Sequence, residues 1–399
     1  MMARRAGLVV GCALALAGCS DRAEIAEDAS ARRDQPAAPV GDGADWPRGV
    51  EVFEAPSAAS EGAPRTIEVL ASGEVLGQFG IAYSPRPRRG DFVFVDGWAL
   101  QFTELIVTVG ELRIEGRGPS PDDQSRVGAP VARLARAFAI DLQKPGPRDG
   151  AGGRPETAHL LHVFARTDRG EALDPESKYS FSFAFQTARA DAVNVNLGPA
   201  QQALYRDMIA RGWSTLVRGR AQYRGTPAAA PPFGEYPVEV AFSFGFGAPA
   251  QYINCDNPEN AAGDPRGVQP NSTRAVRAQI TLHADHVFWS ALQIEHPPLR
   301  FDPFAARAQT AGPLGRLSLD DLATVAPTNL RDRQGRRVPD RAGQTLGAAV
   351  PDPEAVSFSP NGAASVRDLR DFVAYSTRAA GHLNGEGLCA VRALRPFTY

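Results

Sequence analysis

The sequence predicts a mainly β fold, an antiparallel β-sandwich with a few short helices. The segments Tyr179 to Phe185 and Val238 to Phe244 place an apolar side chain at every second position, which is the period of a strand with one face on a core. Glycine (39) and proline (33) are abundant in the 399 residues, which favours many turns between short strands. Helical periods do not alternate with the strand segments, so a sandwich is expected rather than a parallel α/β sheet.

Other segments with strand character are spread along the chain after residue 62. They are Thr66 to Leu70, Phe92 to Val95, Trp98 to Ile114, His159 to Thr167, Leu216 to Tyr223 and Ala275 to His283. In the longest of them Leu100 and Phe102 share one parity, whereas the apolar residues from Leu105 onward have the other. Because side chains alternate between faces, a β-bulge near Glu104 would return all of them to one core.

Two helices are predicted, one between strand segments and one near the end of the chain. The first runs from Pro199 to Arg211 and ends before Gly212. For the second, Ser365 can serve as the N-cap with Asp368 at N3, as in a capping box, and Gly381 can close its C-terminus.

The N-terminus has the pattern of an export signal. Arg4 and Arg5 precede an apolar run, Ala6 to Ala17, that is too short to span a bilayer. Leu16-Ala17-Gly18-Cys19 resembles the bacterial lipobox, in which the cysteine becomes the lipidated first residue of the mature chain. By resemblance to Gram-negative lipoproteins, Ser20 after that cysteine indicates the outer membrane.

The chain is therefore divided into a signal peptide at 1–18, a flexible tether at 19–62 and a β-sandwich domain at 63–399. The tether is rich in Ala, Asp, Glu, Arg and Pro and has no apolar period. Within the domain, Arg331 to Gly362 has many helix and strand breakers, which predicts an irregular excursion.

The charge balance limits the classes of binding partner, and the cysteine content indicates the redox compartment. Lys plus Arg number 43 against 45 Asp plus Glu, so no overall basic field is present to attract nucleic acid. Cys12 leaves with the signal and Cys19 carries lipid, which leaves Cys255 and Cys389. In an oxidising compartment these two are expected to form a disulfide.

Histidines and acids gather in two segments that could hold a metal. His283, Asp285 and His286 stand within four positions, and His382 lies in a glycine-rich segment that ends at Cys389. Imidazole and carboxylate groups suit zinc or copper. If the first segment is a strand, His283 and Asp285 share a face and His286 points away; if the chain turns into a helix after Asp285, that residue is an N-cap.

Two further patterns favour structure over chemistry. His159 and His162, three apart in a predicted strand, fall on opposite faces, so at most one can join a site. Gly315 to Leu322 resembles the second half of an EF-hand loop, but positions 1, 3 and 5 are Thr310, Gly312 and Leu314, which do not suit calcium. A short helix capped by Ser318 explains the same residues without a metal.

Common enzyme signatures are missing, since the sequence has no G-x-S-x-G elbow, P-loop, H-E-x-x-H or dinucleotide fingerprint. We therefore expect a non-enzymatic protein.

Several motifs, taken in order, resemble those of a loosely defined set of exported bacterial β-sandwich lipoproteins. They are Asp96-Gly97-Trp98, Tyr252-x-x-Cys255, His283-x-Asp285-His286, Gly315 to Leu322 and the Gly-His-x-x-Gly-Glu-Gly-x-Cys segment from Gly381 to Cys389. A long central strand combined with Phe288-Trp289 near histidine is also faintly similar to methanobactin-associated periplasmic copper-binding proteins, although their ligand set does not map residue by residue.

The expected function is an outer-membrane lipoprotein that binds zinc or copper through His283, Asp285, His286 and His382. Its partners would be the membrane, through Cys19, and an envelope protein that receives the metal. The alternative is a structural or partner-binding lipoprotein in which these polar residues only cap and hydrogen-bond.

Overall fold

The computed structural model describes residues 62–87, 91–120, 123–225, 236–260, 264–289, 299–310, 314–325 and 368–399. The strands are β1 Ile67–Ser72, β2 Trp98–Glu115, β3 Pro130–Leu134, β4 Phe138–Asp141, β5 Arg148–Asp149, β6 Thr157–Phe164, β7 Ser180–Phe185, β8 Val193–Asn194, β9 Thr215–Tyr223, β10 Glu239–Phe246, β11 Ala250–Ile253, β12 Val276–Leu282, β13 Gln309–Thr310, β14 Leu314–Ser318, β15 Gly381–Leu383 and β16 Ala390–Ala393. Cys19, the signal and tether segments and the excursion at 331–362 lie outside the described residues.

Helices are few and short, as the sequence predicts. The α-helices are α1 Glu74–Phe79, α2 Pro199–Arg211, α3 Asp302–Ala305 and α4 Leu369–Arg378, and single 3₁₀ turns occur at Ala151–Gly153, Ala284–Phe288 and Leu319–Leu322. The mainly β class with a few short helices is confirmed. In the described part of the chain no helix has both the length and the apolar character needed to span a membrane.

The smaller sheet has five strands in the order β15-β12-β1-β6-β5. Its central pair, β1 and β12, is parallel, and the other neighbours are antiparallel. The sheet is therefore mixed, in contrast to the purely antiparallel pairing that was expected.

The larger sheet has eleven strands and is organised around β2. Along its first half β2 pairs with β9, and along its second half it pairs with β3, β4 and β7. The pairing with β9 shifts register between Phe102 and Glu104, which confirms the predicted bulge. β10 with β14 and β4 with β8 are parallel, so this sheet is mixed as well.

One apolar core joins the two sheets. Val69 and Ile280 from the smaller sheet belong to the same buried cluster as Phe183 and Phe244 from the larger one. β7 is buried along its whole length and not on one face only. Its polar side is accommodated by hydrogen bonds, because the Ser182 hydroxyl donates to Glu115 Oε2 at 3.0 Å.

The helix predictions are partly confirmed. α2 has the predicted bounds, and Gly212 closes it in the left-handed conformation (φ 70°). The expected capping box of α4 is wrong, because Asp368 is itself the N-cap and accepts from the Asp371 N–H at 2.9 Å. Gly381 does not close that helix, which ends at Arg378; it opens β15 instead. Ser365 lies outside the described residues.

Two other local predictions have opposite outcomes. Ser318 and Asp321 form a capping box at the 3₁₀ turn Leu319–Leu322, which confirms the capped-helix interpretation of the EF-hand-like segment. The strand expected at Phe92 to Val95 is wrong. Phe94 makes only an isolated bridge to Leu299, and the chain turns at Gly97 (φ 94°).

Candidate metal centre

The parallel pairing of β1 and β12 brings two distant acid–base residues to one sheet edge. Ser72 is paired with Thr281 at the carboxyl ends of the strands. The chains leave the sheet side by side, so Glu74 at the start of α1 arrives next to His283, and the Glu74 Oε2 to His283 Nε2 distance is 3.1 Å.

Strand β15 adds the second imidazole from the other side of β12. His382 is paired with Thr281 in the antiparallel register, and His283 lies two positions beyond that partner. Side chains of such diagonal neighbours can touch on one face of a sheet. The strand at the edge of the smaller sheet therefore carries His382 to His283.

A helical turn, not a strand, brings the third imidazole. β12 ends at Leu282, His283 is the N-cap, and residues Ala284–Phe288 form a 3₁₀ turn. In a 3₁₀ turn residues i and i+3 lie one above the other, so His286 returns to the side of His283. The expected shared strand face of His283 and Asp285 is wrong for this reason, and so is the N-cap role of Asp285.

The three histidines form a buried cluster. His283, His286 and His382 each offer one ligand nitrogen, and these atoms lie within 4.8 Å of one another. Their exposed fractions are 6%, 2% and 5%. The structure therefore brings together three of the four residues that the sequence analysis selected.

The rings are packed on one another. His283 and His382 are stacked, with ring centroids 3.9 Å apart and an interplanar angle of 10°. His286 meets both of them edge-on and lies 3.5 Å, centroid to centroid, from the Trp289 ring.

Hydrogen bonds fix one nitrogen of two of these rings. The Nε2–H of His283 donates to Glu74 Oε2 and to the Gly385 carbonyl, each at 3.1 Å. The Nδ1–H of His286 donates to the Ser376 carbonyl at 3.3 Å, and the Ser376 hydroxyl donates back to the His286 carbonyl at 2.6 Å. The assignment of these ring hydrogens follows from their partners. It leaves a lone pair on His286 Nε2, and one on His283 Nδ1 when that ring is neutral.

Other polar atoms of the cluster have no hydrogen-bond partner among the described residues. They are both ring nitrogens of His382 and the Oδ1 atom of Asp285. The second carboxylate oxygen of Asp285 accepts from Trp289 Nε1 at 2.9 Å. Buried polar groups in native proteins are nearly always paired, so each of these unpaired atoms requires an explanation.

The pKa values of the three imidazoles favour a charged His283 ring and neutral His286 and His382 rings. Burial lowers the pKa of His283, but the charge and hydrogen bond of Glu74 outweigh it and raise that pKa to about 9. Burial raises the pKa of Glu74, yet its partners His283 and Arg154 leave that pKa below its ordinary value. The pKa of His286 and that of His382 are well below their ordinary value, first because of burial and then because of the charge on His283.

Asp285 does not belong to the group of converging ligand atoms. It is buried (2% exposed), and burial raises its pKa. Because the chain turns at His283, its carboxylate is directed to Trp289 and not alongside the His283 ring. Its role is that of a neighbouring negative charge, which favours the charged form of His283.

The C-terminal loop is held in place as the sequence predicts. A disulfide joins Cys255 to Cys389. Asn384 anchors the same loop, since its Oδ1 accepts from the Gln279 N–H at 2.7 Å and its Nδ2 donates to Asn257 Oδ1 at 2.9 Å. Glu386 in the same loop is exposed.

The remaining histidines that were considered lie away from the cluster. His159 in β6 accepts from Asn196 Nδ2 at 3.0 Å, and His162 meets the Phe164 ring edge-on. A register shift in the pairing of β1 with β6 falls between them. Both have a packing role.

Sequence reasoning missed Glu74, Ser376 and the contact of Trp289 with His286. The first two are remote from His283 along the chain, and only the β1–β12 pairing and the docking of α4 on the 3₁₀ turn bring them to the cluster. Comparison with protein-family models, curated proteins and solved structures gave no match to this chain.

Proposed function

We propose that this chain is a non-enzymatic outer-membrane lipoprotein that binds a divalent metal, zinc or copper(II), through His283, His286 and His382. Cys19 would carry the lipid, and an envelope protein would receive the metal. The observation that supports metal binding most strongly is the buried cluster of three imidazoles whose ligand nitrogens lie within 4.8 Å of one another.

Unsatisfied polar atoms add to this support. An unpaired buried donor or acceptor costs about 1–3 kcal/mol, and His382 has two such nitrogens. A metal ion would use one His382 nitrogen directly. Ligation would then offset part of the cost of burying these nitrogens.

The cluster must rearrange slightly to bind. Two nitrogens bound to one tetrahedral zinc are about 3.3 Å apart, given bonds of about 2.0–2.1 Å. Because the rings of His283 and His382 are stacked 3.9 Å apart, their in-plane lone pairs lie in nearly parallel planes and do not meet at one point. His382, the ring without hydrogen bonds, is the one that turns.

Charge favours a divalent ion. The carboxylates of Glu74 and Asp285 favour a proton on His283, and a divalent ion that displaces this proton would take its place beside the two negative charges. The group of converging ligands contains no thiolate or thioether, and an all-imidazole set suits zinc and copper(II) better than copper(I).

The test is calorimetric titration of the metal-stripped full chain with zinc chloride and with copper(II) chloride. His382→Phe removes both ring nitrogens while keeping an aromatic ring, and His162→Phe is the matched control outside the cluster. We expect one ion per chain for the unmodified protein and the control, and a loss of affinity of at least about 100-fold for His382→Phe. Equal binding by His382→Phe, or none above background in the unmodified protein, would leave the structural or partner-binding lipoprotein as the better account.

Membrane anchoring has its own test. Mass spectrometry of the mature N-terminal peptide is expected to show Cys19 as the first residue, carrying a diacylglyceryl group. A free Cys19 thiol would contradict the anchor and would leave the metal proposal unaffected.

A further inference from the structure

Glu74 has an unusual backbone conformation for its residue type. Its φ is 56°, in the left-handed region that residues other than glycine rarely occupy. It is the first residue of α1 and follows the end of β1 by two positions. Strained backbone of this kind persists where the surrounding structure determines it and often marks a functional position.

The surroundings of Glu74 direct its carboxylate to His283. Arg154 Nη1 donates to Oε1 at 3.5 Å, which leaves Oε2 for the His283 Nε2–H at 3.1 Å. Arg154 in turn lies directly over Gly385, where a Cβ atom would overlap the guanidinium group. The side chain of Glu74 is only 14% exposed, so the pair is screened from solvent.

The hydrogen bond decides which nitrogen of His283 can act as a ligand. A neutral imidazole has one N–H and one lone pair, and Nε2 supplies the N–H to Glu74 and the Gly385 carbonyl. When a metal displaces the second proton of His283, the lone pair is then on Nδ1. Metal-bound histidines commonly donate their other ring N–H to a carboxylate or a backbone carbonyl, which fixes the tautomer and makes the ligand more basic.

We propose that Glu74 is a positioning residue of the metal site, which holds His283 as an Nδ1 ligand while the Ser376 carbonyl holds His286 as an Nε2 ligand. This inference rests on the proposed metal function. It assigns a role to a residue about 200 positions away from His283 in the sequence, and it specifies a mixed set of ligand nitrogens.

The test compares zinc affinity in Glu74→Leu and Glu74→Gln with that of the unmodified full chain. Loss of the carboxylate is expected to weaken zinc binding 10- to 100-fold in Glu74→Leu. Glutamine keeps an oxygen that accepts from Nε2–H, so Glu74→Gln is expected to retain most of the affinity. Glu104→Leu is the matched control, because Glu104 is 15% exposed and also pairs with an arginine, Arg218, at 3.3 Å.

A spectroscopic measurement separates positioning from a general structural role. Long-range ¹H–¹⁵N correlation spectra of the zinc-loaded protein are expected to show Nε2–H with zinc on Nδ1 for His283, and the opposite for His286. In zinc-loaded Glu74→Leu only the Gly385 carbonyl still accepts from Nε2–H, so the His283 preference is expected to weaken, while Glu104→Leu keeps it in full.

The outcomes distinguish the two proposals. If the unmodified chain binds zinc and Glu74→Leu binds it equally well, or if His283 ligates through Nε2, the role of Glu74 is overturned and the metal function stands. If the unmodified chain binds no zinc, both are overturned.

Discussion

Removing the Cys255–Cys389 disulfide is expected to lower the free energy of unfolding by several kcal/mol. The two cysteines are 134 residues apart. For a loop of this length the chain-entropy model gives an entropy loss of about 17 cal/mol/K in the unfolded state, or about 5 kcal/mol at 25 °C. Because real unfolded chains are compact, we expect a loss of roughly 3–5 kcal/mol.

Urea denaturation of Cys255→Ala/Cys389→Ala beside the oxidised unmodified protein measures this difference. The double substitution avoids a lone reactive thiol. Dithiothreitol should lower the stability of the unmodified protein to a similar level and leave the variant unchanged. A loss below about 1 kcal/mol would refute the entropic reasoning, since the bond would then constrain the unfolded chain little.

Three further predictions concern single residues. Burial, followed by the charge of the neighbouring Asp302, raises the pKa of Asp96 to about 7. The free energy of unfolding should therefore fall by up to about 4 kcal/mol as pH rises from 4 to 7. Chemical denaturation across this range should show a flatter dependence of that free energy on pH for Asp96→Asn. Gly381→Ala would place a Cβ against the Tyr252 ring, so its melting temperature should drop by an amount equivalent to about 1–3 kcal/mol; an unchanged melting temperature would show that the ring can move aside. Ser318→Ala removes the capping box of its 3₁₀ turn and should cost about 1 kcal/mol in urea denaturation, whereas no change would mean that the turn does not depend on its cap.

Local features of the fold could be predicted because their signals are local. The apolar positions of β2 change parity near Glu104, which requires a bulge whichever strand pairs with β2. Gly212 ends α2 because glycine readily adopts the left-handed conformation. Alternation of apolar and polar residues predicts the strand at Tyr179 to Phe185, but its burial on both faces depends on layers contributed by distant segments.

The candidate site was only partly predictable for the same reason. Clustering of His283, His286 and His382 followed from residue type and from the disulfide-held loop, and the structure brings them together. The directions of the His283, Asp285 and His286 side chains depend on where β12 ends. Because a 3₁₀ turn begins at that point, His286 lies on the side of His283 and Asp285 does not. Periodicity does not locate such an end.

The contribution of Glu74 depends on strand pairing between remote segments. β1 and β12 are parallel and far apart in the sequence, so no local pattern connects Glu74 with His283. The left-handed backbone of Glu74 is likewise set by its surroundings, because glutamate has no local preference for that conformation.

Anomalous diffraction from crystals soaked in zinc or copper(II) chloride measures most directly whether the three imidazoles share one ion. We predict a single peak about 2.0–2.1 Å from one nitrogen each of His283, His286 and His382, with the His382 ring turned out of its stack on His283. Crystals that bind the metal only at other positions, with these two rings still stacked, would contradict the proposed metal site.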